Sequence, residues 1–499
     1  MTALRLIHLP EPTVEFGEGE SAVVREGLAK YGPYSLRLGA AHPSAVRVGI
    51  VGTPASVAGA RKFLERMATR IHSGKPNSIL TPDYPGFDSA FRSSLAVDVR
   101  WTVELDPTAV DQALARPPYE AFETCLALWV EGVQGLVRDI APDVVLCALP
   151  SDVLERCRVV DVPRPKRRGQ GARRSKRTRR GGPEQLELNL FDSGAGSIEQ
   201  ASQPQSSDLR SRNFRRALKA AAMDARVPIQ IVTPSLYEEG GKQQDPATRA
   251  WNLSVALFYK AGGLPWRARA EVEHTCFVGI SFHHLFTADR HVMFSSLAQA
   301  FSTEGDGFAL RGGEIPWDPT DRRPHLDEAQ SEELLAKVMT AYRGHVGRDP
   351  LRVVVHKTSE FTAGERQGMR RALADVPAVE LQTVRSTDFR LLRQGQYPPH
   401  RGTLAIFGDT SFLFSTGYSE ARQTYDGPHV PVPLELVDAG GTSAELSARE
   451  LLSLSKMNWN SARDHIAFPI SLAFARQVGL VMAEIPRDAD PHPLYRFYM

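Results

Sequence analysis

NLSVALFYKAGGLPWRARAEVEHTCFVGISFHH, residues 252–284, decides how the chain folds. Leu253, Ala256, Leu257 and Tyr259 recur at helical spacing, so the stretch opens as an amphipathic helix. Lys260 stands at its end, Gly262-Gly263 stop it, and Pro265 follows. Residues 275–282 are then an apolar run rich in β-branched side chains, the pattern of a buried strand. A lysine at a helix end beside two glycines leaves room for an anion to approach.

Outward from this stretch, helices and strands alternate. Residues 46–53, VRVGIVGT, read as a strand, and 54–71 as a helix with Val57, Ala60, Phe63, Leu64 and Met67 on one face. The strand–glycine–helix unit lacks GxGxxG and GK[ST], so it gives no nucleotide-binding signature. A helix over 118–139 and the strand DVVLCALP follow, which predicts a parallel α/β sheet. Beyond 282 the sequence reads as a Gly/Pro-rich loop. Then come a helix (328–345), a strand (LRVVVHKT), a helix (363–374), a strand (VELQTVR), a hairpin (GTLAIFGDTSFLFSTG) and two terminal helices. That succession predicts a mixed sheet flanked by helices. The fold class is α/β.

With 499 residues, two or three domains are expected. The chain is 42% apolar and 24% charged, with a net charge of +2, the composition of an ordinary α/β protein. Cys125, Cys147, Cys157 and Cys276 lack CxxC spacing and read as buried thiols in a reducing compartment. No signal peptide or membrane span is evident, so the expected location is the cytoplasm. Residues 162–212 break the pattern: 164–180 hold ten Arg or Lys and no acid, and a Ser/Gln-rich tail follows. This reads as a disordered basic insertion, either a solvated loop or a contact for nucleic-acid phosphate or an acidic partner. Residues 186–191 form a short apolar patch within it.

Arg215 and Lys219 lie one turn apart on a helix, Gln230 on the next strand and Lys260 at the end of the opening helix. Two helices and a strand of one α/β unit can converge these tips. A terminal phosphate calls for such a set: lysine point charges, an arginine fork and an amide donor.

The order EFGEG, YGPY, VRVGIVGT, PGF, NFRRALK, VPIQI, LFYKAGGLPW, VGIS, KMNWNS, PISLAFA resembles the MID–PIWI half of Argonaute proteins, specifically the short prokaryotic Argonautes. The resemblance divides the chain into an N-terminal segment (1–44) that packs with PIWI, a MID domain (45–266) with a parallel Rossmann-like sheet, and an RNase H-like PIWI domain (267–499). It implies that Lys219, Gln230 and Lys260 hold the 5′-phosphate of a short guide, joined by Arg215 and Asn252. Arg215 takes the place of a tyrosine that stacks on the first guide base, and Ala256 replaces a polar residue. The terminal carboxylate of Met499 is expected to share a Mg2+ with the guide phosphate, since a hard cation bridges two anions that otherwise repel.

The same resemblance locates the carboxylates of an active PIWI site at Ser281, Thr358 and Arg476. Two hydroxyls and a cation do not hold two Mg2+ ions. His283, His284, Asp289 and Glu314 do not rebuild the site. The expectation is therefore a non-enzyme: a sensor that binds guide RNA and target ssDNA and activates an APAZ-effector partner. That partner is of sirtuin-like or TIR NADase type, or a nuclease, acting in prokaryotic immunity against plasmids or phage. The alternatives are a PIWI nuclease with a non-standard metal site and a standalone guide-binding repressor.

Overall fold

The computed structural model describes residues 4–75, 79–162, 211–240, 243–285, 293–302, 307–316, 324–395, 397–425, 427, 430–438, 443–486, 489 and 491–499, the side chains of 284, 285, 293–302 and 438 excepted. Most of the basic insertion, its apolar patch and Asp289 lie outside the described residues.

A four-stranded, all-parallel sheet runs Ser94–Glu104, Ala45–Gly52, Val144–Ala148, Ile229–Val232. Its strands alternate faces, so both sides are apolar. Val48 and Ile50 pack with Phe63 and Leu64 of the Pro54–Met67 helix. Val51 and Cys147 pack with Phe122 and Trp129 of the Pro118–Asp139 helix. The Phe214–Ala222 helix joins that second side through Phe214, Ala217 and Leu218. The strands Val159–Asp161 and Ser211–Asn213 pair antiparallel and close the base of the basic insertion.

The other large sheet has nine strands in the order Arg5–His8, Thr403–Phe407, Thr410–Leu413, Leu434–Asp438, Ala378–Ser386, Arg352–Lys357, Thr275–Leu285, Met293–Ser302, Gly307–Pro316. The strand Thr275–Leu285 and its neighbours Arg352–Lys357 and Ala378–Ser386 are parallel, and the flanks are antiparallel. The helices Glu328–Val346 and Ala363–Ala372 cover one face and Ile470–Met482 the other. The last helix lies directly on the opening strand: a Cβ at Gly279 would stand 2.0 Å from the Ser471 carbonyl oxygen.

One expectation changes. The region after 282, expected as a loop, contains the strands Met293–Ser302 and Gly307–Pro316. Their Ser, Ala, Gln and Gly content hides the period-2 signal, and pairing with the neighbouring strand supplies what local propensity does not. The first strand, Arg5–His8, joins the far edge of the nine-stranded sheet. Between the two sheets runs the Pro246–Lys260 helix, buried almost throughout, as befits a helix that faces apolar partners all round. The four cysteines are buried free thiols, and no described helix is long and apolar enough to cross a membrane.

Candidate anion-binding pocket

Gln230 alternates with Ile229 and Ile231 on its strand, so its side chain faces away from their apolar cluster. Lys260 ends its helix, where the carbonyl end of the dipole favours a cation. The two meet: Lys260 Nζ donates to Gln230 Oε1, to Ile229 O at 2.9 Å and to Met499 O at 3.0 Å. Lys219 Nζ donates to Tyr498 O at 3.2 Å. Lys219, Gln230, Lys260 and Met499 are all buried. The structure thus gathers four of the six expected residues around one point.

Arg215 is half-buried one turn before Lys219 and acts on it electrostatically. Asn252 does not join them. It lies eight residues before Lys260, about 12 Å along the helix axis. Its Oδ1 accepts from Ala462 N at 3.0 Å, which ties the helix to the segment after the Ala444–Leu454 helix. The glycine pair also has a structural role. Gly262 takes a φ of 95°, and a Cβ at Gly263 would collide with the Phe258 ring at 2.3 Å. The pair turns the chain and packs on its own helix.

The pocket is rich in cations. Burial, then Arg215 and Arg216, push Lys219 down to about 7. Burial and Lys219 hold Lys260 well below its ordinary value, against a small opposing effect of Cys147. Burial and Arg158 lower Arg215. Among the described residues no Asp or Glu side chain is hydrogen-bonded to either lysine. Such an arrangement is stabilised by an arriving anion.

The tail is what closes the pocket. Ala309 N donates to Pro493 O at 2.8 Å, so the tail pairs beside the edge strand Gly307–Pro316. Tyr495 stacks on Phe474 at 4.0 Å between centroids, and Tyr498 Oη donates to His492 O at 2.7 Å. The aromatic run LYRFYM marks a buried tail in the sequence. The contribution of the Tyr498 and Ile229 carbonyls has no residue signature, because any residue supplies a carbonyl.

The expected catalytic positions also come together in part. The parallel register pairs Ile280 with Lys357, which makes Ser281 and Thr358 the next neighbours across the two strands. Ser281 Oγ is enclosed without a hydrogen-bond partner, and Thr358 is exposed just past its strand. Arg476 is exposed on the helix that covers this face. His283 is buried against Gly479, and Glu314 is exposed on the edge strand. Among the described residues no trio of His, Cys, Asp or Glu gathers there. On the opposite face Lys357 is ion-paired with Glu365 and lies 3.2 Å from His325 Nδ1, a buried group that the sequence reading does not single out.

No family model matches the chain, and no curated protein matches it by sequence. Solved structures do. Clostridium butyricum Argonaute bound to a guide DNA and a 19-mer target DNA superimposes with a TM-score of 0.64 at 13% identity, over 99% of this chain and 54% of that one. A. aeolicus Argonaute gives 0.55 at 14% identity, over 98% and 54%. Drosophila Piwi gives 0.56 at 13%, over 99% and 56%. The parallel and mixed sheets, in this order, match the MID/PIWI α/β architecture. The chain therefore has an Argonaute-like fold and spans about half the length of the Argonaute structures it matches.

Proposed function

We propose that this chain is a guide-dependent nucleic-acid sensor whose pocket holds the 5′-phosphate of a short guide, with RNA as guide and ssDNA as target. The observation that carries the reading is the convergence of Lys219, Gln230 and Lys260 with the chain's last residues in a buried, cation-rich site. The similar fold of Clostridium butyricum Argonaute, solved with a guide DNA and a target DNA, supports it. Lysines supply the charge, Gln230 the amide donor and Arg215 a fork at the rim. Met499 O accepts from Lys260 Nζ and the neighbouring Tyr498 O from Lys219 Nζ, so the Met499 carboxylate would suit Mg2+ only once a phosphate joins it as a further oxygen ligand. A bound ion there would neutralise the two anions.

Ser281, Thr358 and Arg476 offer no carboxylate for a two-metal site, and we assign this chain binding without cleavage. The effect of target recognition then passes to a second protein, an APAZ-effector of sirtuin-like or TIR type, in defence against plasmids or phage. Coupling requires that the guide–target duplex favour one arrangement of the complex over another. Native purification tests all three parts. The chain is expected to carry short 5′-phosphorylated RNA and a second subunit, and to leave labelled complementary DNA intact in Mg2+ or Mn2+. A chain purified alone refutes the effector, and guide-directed cut products refute the non-cleaving site.

The lowered Lys219 makes a pH prediction. Phosphate binds the charged ammonium, so above a value of about 7 a proton must be taken up on binding. The preference for 5′-phosphorylated over 5′-hydroxyl oligonucleotide is expected to fall between about pH 7 and 9, with net proton uptake in calorimetry. Stability of the free chain has the opposite sign. Between about 7 and its ordinary 10.5, Lys219 binds fewer protons folded than unfolded, so its contribution rises with pH. A phosphate preference independent of pH would separate Lys219 from the ligand.

A further inference from the structure

Far from the pocket, the first strand of the chain carries a group that guide binding does not use. His8 ends the edge strand Arg5–His8 and pairs with Thr403. His400 precedes that partner strand and is held by a bridge to Tyr418, with Arg401 N donating to Tyr418 O at 3.0 Å. Glu420 lies in the turn closed by the Ser419–Thr424 bridge, in which Ser419 N donates to Thr424 O at 2.9 Å. Three separate backbone segments therefore present two imidazoles and a carboxylate to one point. One ligand atom from each lies within 4.8 Å of the others.

The His8–Glu420 distance suits a small divalent ion, and the shorter His400–Glu420 distance has to open by roughly 0.4 Å to admit one. Tetrahedral bonds of ~2.0–2.2 Å place ligand atoms roughly 3.3–3.5 Å apart. His8 Nε2 stands 3.4 Å from Glu420 Oε1. His400 Nδ1 is enclosed 2.9 Å from the same oxygen, yet off the line of a hydrogen bond. Its close partner is that carboxylate oxygen, so the imidazole and the carboxylate already face one point. His8 is 44% and Glu420 57% exposed at the side chain, so water can complete the coordination. The neighbouring cation is Arg393, whose guanidinium lies over the Tyr418 ring at 5.4 Å.

We propose that His8, His400 and Glu420 form a transition-metal site of the Zn2+ class that fastens the first strand to the loop leading into its neighbour. Two nitrogens and one oxygen favour Zn2+, Co2+ or Ni2+ over Mg2+, which prefers an all-oxygen octahedron. The site is structural: an edge strand of four residues has few hydrogen bonds of its own, and the metal holds both sides of the seam.

The test uses the full chain without a histidine tag, stripped with chelator and titrated with Zn2+ against a chromogenic competitor. One Zn2+ per chain is expected, undisturbed by millimolar Mg2+. His8→Gln, His400→Ala and Glu420→Gln should each weaken it about ten-fold or more, on the scale of losing a metal's supporting contacts. Zn2+ should also slow hydrogen exchange of the Leu6–His8 amides in the parent chain and not in His8→Gln. Since His8 is exposed, that variant is expected to fold, which circular dichroism confirms. Zn2+ binding of unchanged affinity in folded His8→Gln, or exchange at Leu6–His8 unaltered by Zn2+, would overturn the site and leave a surface His–Glu contact only.

Discussion

Replacing Lys219 and Lys260 together by alanine is expected to erase the preference for a 5′-phosphorylated over a 5′-hydroxyl oligonucleotide, a loss of about 100-fold or more. Hydrogen bonds to charged groups contribute about 1.5–3 kcal/mol each, and every ~1.4 kcal/mol is tenfold in affinity. Two lysines acting on one phosphate in a buried site reach that magnitude. The measurement is anisotropy of labelled oligonucleotides that differ only at the 5′ end, so backbone contacts cancel. Lys260 also supports the pocket itself, because its Nζ serves Ile229 O, Gln230 Oε1 and Met499 O. The Lys219→Met/Lys260→Met variant fills most of the volume while removing the charge. It should fold and show the same loss. A parent chain that binds both oligonucleotides equally would refute the pocket, whatever the variants do.

The pocket was legible in sequence only as far as local period and residue type carry. Lys219, Gln230 and Lys260 each sit on a well-patterned element, and the α/β order brings such elements together. Asn252 is on the same helix as Lys260, and one helix is not one direction: eight residues change both height and bearing, and its amide serves Ala462 instead. The strands Met293–Ser302 and Gly307–Pro316 were hidden because their partners, not their side chains, make them strands. The group of His8, His400 and Glu420 spans nearly the whole chain, and no spacing rule covers such a separation. The resemblance gives Ser281 and Thr358 as separate positions, and the parallel register is what makes them neighbours.

Glu11→Gln is expected to destabilise the fold by about 3–5 kcal/mol, the scale for removing one partner of a buried ion group. Glu11 accepts from Arg401 Nε at 2.8 Å and from Lys456 Nζ at 2.7 Å, and both cations are almost wholly buried. Burial pushes the Glu11 carboxyl upward, but Arg401, Lys456 and His465 outweigh it and hold the group well below the usual carboxylate range. The cations are held elsewhere too. Lys456 donates to Ala22 O at 2.8 Å and Arg401 to Ser455 Oγ at 2.9 Å, so neither can swing out to water when the carboxylate is neutralised. The amide of glutamine matches the shape of the carboxylate and leaves two charges uncompensated. Because the group joins the first residues to the Ala444–Leu454 helix end and the Thr403–Phe407 strand, its loss should appear as a lower denaturant midpoint for the nine-stranded half. The pH sign follows from the lowered carboxyl: its contribution is present above the unfolded value of 4.5 and is lost as pH falls toward the folded one. The parent chain should therefore lose more stability than the variant below pH 4.5. Glu445→Gln, which removes the exposed pair with Arg5 and a first-turn carboxylate of the Ala444–Leu454 helix, is the control and should cost no more than about 1 kcal/mol. Equal, small effects of the two substitutions would mean that the Glu11 cluster is open to water, and that the N-terminal segment is held by its strand pairing alone.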